Sequence, residues 1–154
     1  MIKITGEDKY MDFYNYFLPS NKINLENISY EALENKPVAN GEQVKLNCRD
    51  TILAKIYPNG VKINFNRKVD FDPERLFVVS VTFSVFLLFR EGARDEMDWS
   101  KVDVAGEFRR AGGPIISSFM SKASLMIGQI TAAAGQNPLI TTAAPMKAPE
   151  NRGE

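Results

Sequence analysis

Apolar positions recur along the chain with two periods, and the change between them divides it. From residue 22 to about residue 90 the period is two, that of strands with one buried face. Ile23 and Leu25, then Ile28, Tyr30 and Ala32, make a first strand. Its apolar phase slips between Leu25 and Ile28, as a bulge would produce. Val44, Leu46 and Cys48 alternate with polar neighbours in a second strand, and the pattern is read as changing phase past Asp50, to Ile52, Ala54 and Ile56. Pro58-Asn59-Gly60 predicts a turn. Val61, Ile63 and Phe65 share one side of a third strand, and Asp72-Pro73-Glu74 marks the next turn. A fourth strand, about 76–90, is apolar at every odd position from Phe77 to Phe89 and at Phe86 and Leu88 besides. Four strands joined by short turns predict an antiparallel sheet.

Helical spacing appears at both ends. Tyr10, Phe13, Tyr14 and Phe17 lie at helical intervals before Pro19, so 1–21 is expected to be an aromatic segment with a short helix. After a charged connector over 91–110, Pro114 opens a long helix expected to reach Ala134, with Gly135 as its left-handed stop. A core domain over 22–145 and a disordered tail over 146–154 complete the expected organisation.

Charge changes the picture most at the long helix. Lys122 is the only charged residue between Ala111 and Met146. A surface helix normally carries charges on its wet face. Here the face opposite the apolar stripe bears Ser117, Ser121, Ser124, Gly128 and Thr131, small residues that permit close approach. One sheet covers only one side of a helix, so this second face is the expected oligomer interface. A membrane span is the rival reading. Serines, Lys122 and Gln129 interrupt each apolar run well short of the roughly 18 residues a span needs, so no membrane insertion is expected.

Composition removes much chemistry. The chain has 154 residues, no histidine, one cysteine and equal totals of 19 basic and 19 acidic residues. Ser-His and Cys-His catalysis and His-ligated metals are excluded. No disulfide can form within the chain, and Cys48 reads as a core residue. Asp95, Glu96 and Asp98 read as a solvated loop rather than a metal or acid–base site. Gly112-Gly113-Pro114 lacks the Lys-Ser/Thr of a phosphate-binding loop. The polar sides of strands two and three show Lys45, Arg49, Lys62 and Lys68, a basic face with no interleaved aromatics, so nucleic acid is not expected. No catalytic residue, metal or cofactor is expected. Glu7, Asp8, Lys9 and Asp12 interrupt any apolar leader, and a cytoplasmic location is the expectation.

Several stretches resemble the SecB family of export chaperones. Gly113-Pro114-Ile115-Ile116-Ser117-Ser118-Phe119-Met120, continued by Gln136-Asn137-Pro138-Leu139-Ile140-Thr141-Thr142-Ala143-Ala144-Pro145, is similar to the family's long helix and exit segment. Ile28-Ser29-Tyr30-Glu31-Ala32 and Val44-Lys45-Leu46-Asn47 are similar to the end of its first strand and the start of its second. The resemblance implies an α+β fold, a four-stranded antiparallel sheet on a long C-terminal helix. It implies a homotetramer, a dimer of dimers, and ATP-independent holding of unfolded polypeptide, not enzyme activity. The basic strand face departs from the acidic face with which the family docks its export motor, which disfavours that partner and puts a specialised chaperone, for instance one serving an antitoxin or a phage-encoded client, on equal terms with general export. Phe86, Leu88, Tyr57, Trp99, Phe13 and Phe17 are the candidate client-binding residues. Each buried large side chain would contribute roughly 1.5–3 kcal/mol. The other readings are an assembly protein that binds one folded partner, and a small-molecule carrier with its cavity between helix and sheet.

Overall fold

The computed structural model describes residues 12–19, 22–34, 37 and 41–142. Strands β1 (Ile23–Ala32), β2 (Lys45–Tyr57), β3 (Gly60–Asp72) and β4 (Phe77–Leu88) form one antiparallel sheet, followed by helices α1 (Val104–Ala111) and α2 (Gly113–Ala133). The order across the sheet is β1-β4-β3-β2. Strands β2, β3 and β4 are sequential hairpins, as the turn signals predicted. The first connection is not a short turn: β1 pairs with β4, and residues 33–44 carry the chain to the far edge.

The slip in β1 is a bulge. Leu25 faces Phe83 and Asn27 faces Thr82, which leaves Glu26 as the extra residue and puts Ile23, Leu25, Ile28 and Tyr30 on one side. The expected phase change in β2 is corrected. The strand pairs with β3 without a break from Lys45 opposite Asp72 to Tyr57 opposite Gly60. Val44 to Ile56 keep one parity, and Asp50 takes an inward place in the row.

Asp50 is tolerated there because Arg67, opposite it on β3, is also inward and 0% exposed. The guanidinium donates from Nε to Oδ1 at 2.7 Å and from Nη2 to Oδ2 at 2.8 Å. Burial alone would lower the Arg67 pKa; the hydrogen bonds and charge of Asp50 outweigh it and raise it. Nη1 donates to Thr141 Oγ1 at 3.1 Å and to the Thr142 carbonyl at 2.5 Å. A buried ion pair thus ties the sheet centre to the segment that leaves α2.

The core lies between the sheet and α2. Phe65 stacks on Phe119 with centroids 5.3 Å apart, and Phe108 of α1 meets Phe119 edge-on at 6.3 Å. Met120, Ala123 and Ile127 fill the rest of the helix's inner stripe. Helix α2 ends close to the expected place, with Gly135 at φ 87°. Asp98 caps a 3-10 turn at Trp99–Lys101 through Ser100 N, and Asp103 caps α1 through Gly106 N. Glu96 pairs with Arg90 at 2.7 Å. No described helix is long and apolar enough to cross a membrane.

The expected N-terminal helix is a single 3-10 turn, Phe13–Tyr16. Phe17 bridges Phe89, Leu18 N donates to the Leu88 carbonyl at 2.8 Å, and Arg90 N donates to the Tyr16 carbonyl at 2.9 Å. Tyr10, the segment 146–154 for which disorder was expected, and the domain boundaries at 21 and 145 lie outside the described residues.

Candidate polypeptide-binding surfaces

The six candidate client-binding residues fall into two groups. Phe13, Phe17 and Trp99 are buried together, which corrects their reading as surface anchors. Trp99 lies 5.8 Å from Phe17, 4.9 Å from Phe89 and, edge-on, 5.4 Å from Tyr16. Its Nε1 donates to the Ala93 carbonyl at 3.2 Å. These residues fix the N-terminal segment to the end of the sheet.

Tyr57, Phe86 and Leu88 come together on the sheet face turned away from the helices. The rings of Tyr57 and Phe86 lie 5.8 Å apart at 49°. Phe86 is opposite Lys62, and Leu88 is opposite Gly60, which itself faces Tyr57. Gly60 forms a gap between the two side chains. A Cβ there would lie 2.6 Å from the Phe86 ring and 2.2 Å from the Leu87 carbonyl oxygen, so the close approach requires glycine. Lys22, Asn24, Asn59, Phe86 and Leu88 line an open hollow of 440 Å³ beside this gap. Lys55 stands over the Tyr57 ring at 5.3 Å.

The face is not uniformly basic, and that expectation is corrected. Asp70 and Asp72 share it, and Arg49 pairs with Asp70 at 2.7 Å. Glu26, pushed out by the bulge, pairs with Lys62 at 3.1 Å and accepts a hydrogen bond from Ser84 Oγ. The Ser84 hydrogen bond and then Lys62 lower the Glu26 pKa.

The expected oligomer face of α2 is also divided. Ser124 Oγ donates to the Thr141 carbonyl at 2.6 Å, and Thr131 Oγ1 accepts from Leu139 N at 2.9 Å. A Cβ on Gly128 would sit 3.5 Å from the Leu139 carbonyl oxygen. The chain's own exit segment therefore covers Ser124, Gly128 and Thr131, because their small side chains leave room for its backbone. Ser117 and Ser121 stay exposed, on a stripe with Leu125, which is 61% exposed. Strand β1 adds a surface that alternation alone assigned to the core. Leu25 and Ile28 point to the helix side yet are 48% and 41% exposed. Cys48 is half-buried, with its thiol pKa raised by burial.

Neither a protein-family model nor a curated protein matches the sequence. Among solved structures, the chain is similar to the SecB-like chaperone Rv1957 of Mycobacterium tuberculosis, in complex with a ChAD peptide from the Rv1956 HigA1 antitoxin. The TM-score is 0.54 at 10% identity, covering 79% of this chain and 86% of that chain. At such identity the likeness concerns architecture: a four-stranded antiparallel sheet with helices, which is a SecB-like fold.

Proposed function

We propose that this protein is an ATP-independent holdase that binds non-native polypeptide as a homotetramer, in the cytoplasm, for export or for a dedicated client such as an antitoxin. It is a binding protein and not an enzyme. The observation that carries the reading is the SecB-like fold shared with a chaperone whose structure contains an antitoxin peptide. The exposed Leu25, Ile28, Leu53, Leu88 and Leu125 support it, since they supply apolar surface on both sides of the sheet and on α2. In this reading, copies of the chain cover the open stripe of α2 and the β1 edge, and clients use the hollow at Phe86 and Leu88.

Two outcomes check it. A stoichiometric amount of the protein should suppress aggregation of a heat-denatured substrate without nucleotide. Capture of one folded partner with no such suppression would point to an assembly protein instead. Leu125→Glu should lower the oligomeric mass in light scattering without unfolding the subunit, because a buried unpaired charge costs several kcal/mol at an interface. A variant that keeps the native mass would remove this stripe from the interface.

A further inference from the structure

One lysine lines the outer hollow and two more lie beside it on the same face. Lys22 lines it, Lys62 lies across from Phe86, and Lys55 pairs with Lys62 on the neighbouring strand while standing over Tyr57. One carboxylate, Glu26, offsets them, and it pairs with Lys62. Among the described residues, Lys22 and Lys55 have no carboxylate partner, and both are exposed. The hollow thus joins an apolar floor of Phe86 and Leu88 to the Lys22 cation in its lining, with Lys55 beside it over the Tyr57 ring that meets Phe86. Asn24 and Asn59 add amide groups able to donate to and accept from an extended backbone. Those three chemistries match one kind of occupant. Apolar side chains would fill the floor, backbone would meet the asparagines, and carboxylates would face the lysines.

We propose that the outer-face hollow at Lys22, Phe86 and Leu88, together with the neighbouring Lys55, selects unfolded segments in which large apolar residues are flanked by Asp or Glu. The selection rests on the holdase reading and adds a charge preference to it. A segment with flanking lysines meets like charge at the same rim and is rejected.

Two short unstructured peptides test this, each with the same leucine and phenylalanine core, one flanked by aspartates and one by lysines. Fluorescence anisotropy at low salt should give about tenfold tighter binding of the aspartate peptide, as expected for a few exposed ion pairs. At an ionic strength of about 0.5 M the difference should nearly vanish. The double variant Lys22→Glu/Lys55→Glu should lose or invert the preference. Lys68→Glu, at the far end of the same face, should keep it. Equal affinities in the native protein, or a preference retained by the double variant, would overturn the proposal. Aggregation suppression measured on the same samples separates the two ideas. Suppression with no charge preference sinks the selection and leaves the holdase. Neither suppression nor peptide binding sinks both.

Discussion

Asp50→Ala should lower the unfolding free energy by about 3–5 kcal/mol, the usual consequence of leaving one partner of a buried pair alone. Arg67 is wholly buried and donates twice to the Asp50 carboxylate. Removing the acceptor takes from the buried guanidinium the carboxylate that its Nε and Nη2 both meet. A domain of this size has only about 5–15 kcal/mol to lose. The double variant Asp50→Leu/Arg67→Met should recover most of the loss, since apolar residues of similar volume often replace a buried pair at little cost. Urea denaturation followed by circular dichroism measures all three. A single variant within about 1 kcal/mol of native would mean that water or another group already compensates Arg67. Arg67→Met should also speed amide exchange at Leu139, because the Thr141 and Thr142 contacts of Arg67 hold that segment against α2.

Trp99→Ala should cost about 3–5 kcal/mol, as large aromatic deletions in a packed core do. Three rings, those of Tyr16, Phe17 and Phe89, lose contact with the indole at once, and the Ala93 carbonyl is left with the Glu96 amide alone. The damage should spread to the N-terminal segment, with faster amide exchange at Leu18 and Arg90, whose bonds to Leu88 and Tyr16 depend on that packing. Trp99 is the single tryptophan, so far-ultraviolet circular dichroism is the suitable probe. A variant of native stability that held less client would instead restore Trp99 as a surface anchor.

Strand periodicity was legible because it is a local property. Val61, Ile63 and Phe65 face the core for the reason their alternation implies, and the slip after Leu25 is a real bulge. Asp50 misled because a charged residue in an inward slot resembles a phase change until its partner is known. That partner, Arg67, comes from another strand, and nothing in a single strand's pattern predicts the pairing. The exposure of Leu25 and Ile28 was missed for a geometric reason. Four strands span roughly 19 Å at about 4.8 Å each, while one helix is about 10–12 Å wide. Helix α2 covers the centre, α1 lies against β2, and β1 keeps its apolar side open. Counting strands against helices would have found it. The charge-poor helix was read as needing cover from other copies of the chain, whereas Ser124, Gly128 and Thr131 receive theirs from the exit segment, a contact between residues distant enough in sequence to leave no periodic trace. Of the candidate client-binding residues, Tyr57, Phe86 and Leu88 converge because they lie around Gly60, whereas Phe13, Phe17 and Trp99 were apolar enough to be buried.

Size-exclusion chromatography with light scattering, run on the protein alone and with an equimolar unfolded polypeptide, tests the holdase directly. The account predicts a mass of four times the 17.3 kDa chain, and co-elution of the unfolded polypeptide without nucleotide. A particle of one chain mass, with the polypeptide eluting or precipitating apart from it, would contradict it.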